Sequence, residues 1–151
     1  MSSFKGSFEY SVDSKGRVNI PLRLRKYLSA EANATFTITR GFERSVFVYP
    51  QDEWATVERS IRELSPSEAR ERFFMRVLLQ HATESQLDGQ SRITIPKGLL
   101  EHAGIETEVM ILGVLNHIEL WNPALYKEYL KSQQESYEDV AQAILKKPTR
   151  Q

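Results

Sequence analysis

A nine-residue stretch, Asp13-Ser14-Lys15-Gly16-Arg17-Val18-Asn19-Ile20-Pro21, returns at residues 88–96 as Asp88-Gly89-Gln90-Ser91-Arg92-Ile93-Thr94-Ile95-Pro96. The likeness continues more faintly, Thr35 to Pro50 paralleling Thr107 to Asn122, each segment holding a glycine (Gly41, Gly113) and ending in an aromatic (Tyr49, Trp121). One structural unit is therefore used twice in a 151-residue chain. Half of such a chain is close to the smallest size that buries a useful core, and no long linker or low-complexity stretch separates the copies. The two copies are expected to share one core.

Each copy reads in the same way. Phe8, Tyr10 and Val12 alternate with polar residues, and Val18 and Ile20 alternate again after a turn at Ser14-Lys15-Gly16. That is the period-2 pattern of a half-buried hairpin, with Gly16 supplying the backbone freedom to close the loop. In the second copy Asp88-Gly89 is itself a turn signal, so the turn is expected to shift by a residue or two. Pro21 and Pro96 cannot donate to a strand ladder, so pairing should stop there, and short helices can begin at Leu22–Leu28 and Leu99–Ala103. A second hairpin follows in each half, Phe36 and Ile38 to Val46–Tyr49 around Gly41, and Val109–Leu112 to Ile118–Trp121 around Gly113.

Helical spacing of Trp54, Val57, Ile61 and Leu64 predicts a helix over 52–64. Ser65-Pro66-Ser67-Glu68 has the residues of a capping box, which starts a further helix carrying Ala69, Phe73, Val77 and Leu78 on one side. A closing helical segment runs from Asn122-Pro123 to about Leu145, with Lys146 to Gln151 fraying. The expected units are 1–65, a connecting helix at 66–85, and 86–151.

Lys and Arg number 20, matched by 20 Asp and Glu, yet the zero is unevenly spread. Residues 1–50 hold 8 basic and 4 acidic side chains, whereas 86–121 hold 2 and 5. A polyanion feels the local field within roughly one Debye length, about 8 Å at physiological salt, so a basic first repeat can act within a neutral chain. With no cysteine there is no disulfide, thiolate metal site or Cys nucleophile. The start, Met1-Ser2-Ser3-Phe4-Lys5-Gly6, lacks a signal-peptide stretch and no apolar run spans a bilayer, so a cytoplasmic protein is expected.

Chemistry-bearing residues are few. His81, His102 and His117 are too dispersed for a metal motif, and neither a phosphate-cradling loop nor a nucleophile elbow is present. No metal, cofactor, small-molecule substrate or enzymatic activity is expected. What stands out is the D-x-x-x-R frame, Asp13 to Arg17 and Asp88 to Arg92, each spanning a turn. The aspartates read as structural, capping turn amides or pairing with the arginine. Lys15 and Arg17 at a ribbon tip instead suit phosphate or the guanine edge, and a two-stranded ribbon is narrow enough for a DNA major groove.

Phe4-Lys5-Gly6, Asp13 to Pro21, Val48-Tyr49-Pro50 with Trp54, Asp88 to Arg92, His102-Ala103-Gly104 and Ile118-Glu119-Leu120-Trp121 together resemble the MraZ family of bacterial regulators. The resemblance implies an α+β fold of two tandem AbrB-like swapped-hairpin units sharing a β-barrel-like core, with flanking helices. It further implies a ring-shaped homo-oligomer of about eight or more protomers. Such a ring would bind short direct repeats in double-stranded DNA upstream of the division and cell-wall gene cluster, as a repressor associated with the nucleoid. The family's DNA contacts fall on Lys15, Arg17 and Arg92, and on Lys5 and Arg23, with Asp13, Gly16 and Asp88 shaping the turns. Ser91 and Gln90 depart from the pattern, so the second turn is expected to differ in backbone and the first repeat to carry most of the contact. The rival reading is an AbrB-fold protein-binding module of the antitoxin type, using Tyr126, Tyr129 and Tyr137.

Overall fold

Eight short strands and six helices alternate through residues 1–146, the part of the chain described by the computed structural model. In chain order they are β1 Ser7–Ser11, β2 Arg17–Asn19, α1 Leu22–Arg25, β3 Thr35–Arg40, β4 Ser45–Pro50, α2 Gln51–Arg62 and α3 Ala69–Gln80, with a 3-10 turn at Ala30–Ala32 before β3. The second repeat supplies β5 Thr83–Gln86, β6 Arg92–Thr94, α4 Lys97–Ala103, β7 Glu108–Val114, β8 His117–Trp121, α5 Pro123–Lys131 and α6 Tyr137–Leu145. None of the described helices is long and apolar enough to cross a membrane.

The strands form a six-stranded sheet, β1-β7-β8-β4-β3-β5, and a separate two-stranded ribbon, β2-β6. This order is an exchange of first strands. β1 of the first repeat pairs with β7 of the second, Ser7 opposite Leu112, and β5 of the second pairs with β3 of the first, Thr35 opposite Gln86. The central pair β4 and β8 joins the repeats, Val46 opposite Leu120. β2 and β6 then cross to each other with Val18 opposite Ile93. Every ladder that unites the halves is antiparallel, and a pseudo-twofold relation runs between the β4–β8 pair and the ribbon.

Burial follows from this exchange. Val18, Ile20, Leu24, Phe36, Ile38, Val46 and Val48 from the first repeat pack with Ile93, Ile95, Leu99, Val109, Ile111, Ile118 and Leu120 from the second in one buried cluster. Neither repeat could close this core alone, because half of each inner surface comes from the other. At roughly 1.5–3 kcal/mol per fully buried aliphatic side chain, the cluster dominates the favourable side of folding. A smaller cluster of Trp54, Ile61 and Leu78 seats α2 and α3 on the other side of the sheet. The α+β architecture, the two repeats and the common core agree with the sequence reading.

Several local expectations do not hold. β1 does not form a hairpin ladder with β2; only Val12 and Val18 bridge, because β1 has been given to the other repeat. Tyr10 accordingly stands exposed rather than inward. Gly113 lies inside β7 rather than at the turn, which falls at Leu115 and Asn116. Its role is close approach: a Cβ there would sit 2.6 Å from the Lys5 nitrogen, where the N-terminal segment runs alongside. Ser65 does not cap α3, since its hydroxyl pairs with that of Ser67 at 2.8 Å, and the helix starts four residues later at Ala69. The closing helix is two, because Ser136 accepts the Asp139 amide at 3.1 Å and starts α6 afresh. The frayed end expected at Lys146 to Gln151 falls, from 147 onward, outside the described residues.

Candidate nucleic-acid interface

Both D-x-x-x-R turns are built by the same hydrogen bonds. In the first, the Gly16 amide donates to the Asp13 carbonyl at 3.0 Å and the Asp13 amide to the Arg17 carbonyl at 3.1 Å. In the second, the Ser91 amide donates to the Asp88 carbonyl at 3.0 Å and the Asp88 amide to the Arg92 carbonyl at 3.0 Å. The residue before each arginine is left-handed, Gly16 at φ 78 and Ser91 at φ 60. Ser91 thus keeps the conformation that glycine adopts in the first copy, and Gly89 has no positive φ. The expected shift of the second turn does not occur.

Each aspartate does two jobs. Asp13 Oδ1 accepts the amides of Lys15 and Arg17, both at 2.9 Å, while its Oδ2 accepts the Arg17 Nε at 2.6 Å. Asp88 repeats this with Gln90 at 2.8 Å, Arg92 at 2.9 Å and the Arg92 Nε at 2.9 Å. These bonds, led by the backbone amide of the following arginine, hold both carboxyls below the ordinary carboxylate range, against a smaller opposing push from partial desolvation. This geometry has each aspartate accept turn amides and pair with its own arginine. It also has a consequence for the arginines, because a guanidinium pinned through Nε presents its two Nη groups in a fixed direction. Among the described residues, neither Nη of Arg17 has a hydrogen-bond partner.

The ribbon brings the two motifs together. Asn19 stands opposite Arg92 and Arg17 opposite Thr94, the Asn19 side chain donates to the Gln90 carbonyl at 2.9 Å, and Arg92 Nη1 lies 3.9 Å from Asp13 Oδ2. Residues 75 positions apart (13 to 88) thus form a single four-charge cluster, with exposed Lys15 at its edge. Gly16 is tightly packed at this junction, since a Cβ would lie 2.7 Å from the carbonyl oxygen of Ile95, just past the partner strand.

Lys5 and Arg23 gather elsewhere, around a hollow of about 200 Å³ that also holds Ser3, Lys26 and Tyr27. The Lys5 ammonium donates to Ser3 Oγ at 3.1 Å and lies 5.6 Å from the Tyr27 ring centre, while the Arg23 guanidinium lies 5.6 Å from that of Phe8. Lys26 is the cation that sequence reasoning missed; its i, i+3 spacing from Arg23 on a helical turn was the available signal. At the same offset of 75, Lys15, Arg23 and Lys26 correspond to Gln90, Gly98 and Glu101. Those positions of the second repeat therefore lack the basic side chains of the first.

No cluster of three or more His, Cys, Asp or Glu suited to a metal occurs among the described residues. A tight acid–imidazole pair, His117 Nε2 to Glu119 Oε2 at 3.0 Å, lies away from the ribbon under an aromatic cover of Phe47 and Tyr49. Burial pushes the Glu119 carboxyl up, but bonds from His117 and Trp121 outweigh it and hold it below its usual range.

Comparison with known proteins agrees with this geometry. A family model described as "MraZ protein, putative antitoxin-like" matches residues 3–77 and again 78–147. A protein from Natranaerobius thermophilus named "Transcriptional regulator MraZ" is 38% identical over 142 residues, covering 94% of this chain and 96% of its own. One of the same name from Halothermothrix orenii is 40% identical over 141 residues, covering 93% and 96%, and one from Pediococcus pentosaceus is 37% identical over 142, covering 94% and 96%. With two family matches laid end to end over two interlocked repeats, this chain belongs to the MraZ family.

Proposed function

We propose that this protein is a sequence-specific DNA-binding transcriptional regulator that represses the division and cell-wall gene cluster through short direct repeats in its own promoter. The observation that carries the reading is the convergence of both D-x-x-x-R turns on one two-stranded ribbon, with each arginine aimed by its aspartate. A ribbon of that width fits a major groove, and a guanidinium with two free Nη donors matches the O6/N7 edge of guanine. The names of the relatives support transcriptional regulation.

Arg17 and Lys15 supply the main contacts, Arg92 the second reading position, and Lys5 and Arg23, joined by Lys26, hold flanking phosphate. The replacement of Lys15, Arg23 and Lys26 by Gln90, Gly98 and Glu101 at the matching positions favours an uneven division of labour between the repeats. One ribbon makes few contacts and binds weakly. A homo-oligomeric ring of about eight or more protomers raises the effective concentration of the next ribbon to the mM range and the avidity by about 10²–10⁴ over a single tip. Repeated operators and a cyclic protein suit one another, in a cytoplasmic protein associated with the nucleoid.

The test is a gel-shift titration with the DNA immediately upstream of the gene, repeated across salt. Specific retardation whose log K falls steeply against log[salt] supports the reading. A protein that ignores that DNA and retains a partner protein instead would favour the antitoxin-type module.

A further inference from the structure

Helices α3 and α6 hold the same place in their repeats, each following the helix that succeeds the second hairpin. Their packing differs. α3 seats Leu78 against Trp54 and Ile61, and the Leu78 carbonyl accepts the Thr39 hydroxyl at 2.7 Å. α6 has no buried residue at all. Tyr137 and Leu145 are 83% and 82% exposed, and Val140 and Ile144 line up with Tyr137 at i, i+3 and i+7. A nine-residue helix is too short to be stable in water on its own, so this one needs a cover.

The same chain offers one. The outward flank of α3, with Phe73 at 70% exposure beside Phe74, and Phe42 from the β3–β4 turn wall an open groove of about 540 Å³. Arg40 and Arg70 line it as well. α6 is acidic over its first turn, with Glu138 and Asp139 there and Glu135 just before. The lengths agree too: the groove follows α3 from Ala69 to Leu78, about 15 Å, and α6 spans about 14 Å at 1.5 Å per residue. Within one chain both surfaces stand open, so the groove is not filled by its own helix.

We infer that α6 of one copy docks in the α3–Phe42 groove of a second copy, its apolar side on Phe42, Phe73 and Phe74 and its Glu138 and Asp139 against Arg40 and Arg70. Groove and helix are different patches, so the contact is heterologous and propagates head to tail until a ring closes. This inference rests on the homo-oligomer proposed above and names the contact that builds it.

The experiment uses the full chain with Phe73→Asp in the groove and Ile144→Asp on the helix, both at exposed positions, with circular dichroism as the check on folding. Light scattering after gel filtration should show the unaltered protein as an oligomer and each variant alone at least tenfold weaker in association. An equimolar mixture of the two variants should form heterodimers and stop there, because it contains one intact groove and one intact helix per pair. Should either substitution disturb folding, Arg70→Glu is the second route: it should weaken association, and Asp139→Arg in the same chain should restore it. Variants that keep the full oligomer mass, or a mixture that gives no heterodimer, would overturn the docking alone. A monomeric unaltered protein at tens of µM would instead overturn the homo-oligomer on which it rests.

Discussion

Replacing Gly16 by alanine tests whether the ribbon junction is as tightly determined as its geometry implies. Gly16 sits at φ 78, where an added Cβ would be 2.7 Å from the Ile95 carbonyl oxygen. Ser91 shows what a side chain demands at the matching position, since it adopts φ 60, near the roughly 57° of the left-handed helical region. Alanine at 16 must therefore rotate toward the Ser91 value, carrying with it the Gly16 carbonyl that accepts the Ile95 amide at 2.8 Å. Left-handed backbone costs a non-glycine residue about 1–2 kcal/mol. Weakening one backbone hydrogen bond adds up to about 1 kcal/mol. The lower entropy of the unfolded alanine chain returns about 0.5 kcal/mol. The expected net loss for Gly16→Ala is about 0.5–2.5 kcal/mol, or a fall in Tm of roughly 1–10 °C at fixed protein concentration. Ser91→Gly should move the other way by about 0.5 kcal/mol, relief of strain slightly exceeding the entropy cost of glycine. Urea denaturation of both variants is the assay. A Gly16→Ala protein as stable as the parent, or a Ser91→Gly protein destabilised by more than about 1 kcal/mol, would show that neither the close approach nor the left-handed backbone governs this junction.

Three further outcomes follow from the structure. Asp13 and Asp88 have folded-state ionisation below the usual value of about 3.9, so their stabilisation is complete above that pH and is lost as pH falls through the folded values. In the Asp13→Asn/Asp88→Asn double variant, the acid-side fall of stability below about pH 4 should flatten; a profile identical to the parent's would show that the turns do not depend on the carboxylates. Glu119→Ala leaves the Trp121 indole and the His117 ring without their acceptor and should cost about 2–4 kcal/mol in urea, with Glu119→Gln costing less. The same Glu119→Ala protein, once folded, should shift DNA normally, since the pair lies away from the ribbon; impaired binding by a stable variant would mean that site and core are coupled.

The repeat was legible because its residues are recurrent chemical necessities: an aspartate for turn amides, a left-handed residue, an arginine, and a proline that ends the ribbon. The hairpins of Phe36 to Tyr49 and Val109 to Trp121 were legible from alternation alone. The partner of β1 was not, because Phe8, Tyr10 and Val12 carry the same alternation whether they pair with β2 or with β7. Strand exchange is decided by which pairing completes the common core, a global property no local window contains. The capping box at Ser65 failed for a local reason, the rival hydroxyl of Ser67. The candidate site residues were readable one motif at a time, but not that Arg17 and Arg92 share one ribbon, since that depends on β2 meeting β6 across the repeats. Lys26 escaped notice because i, i+3 spacing from Arg23 is common to any helical turn, and only the fold gathers the pair with Lys5.

The most direct test of the ribbon as the DNA-reading surface is a gel-shift comparison of Arg17→Ala and Arg92→Ala on the gene's own upstream DNA, at matched salt and with oligomer mass checked. A bidentate arginine–guanine contact is worth about 1–3 kcal/mol, roughly 5- to 150-fold for a single tip, and more when several tips bind together. Arg17→Ala is expected to abolish the specific shift while the oligomer stays intact, and Arg92→Ala to give a smaller loss. Operator binding unchanged by Arg17→Ala would contradict the ribbon as the reading surface, and equal losses from the two variants would contradict the uneven division between the repeats.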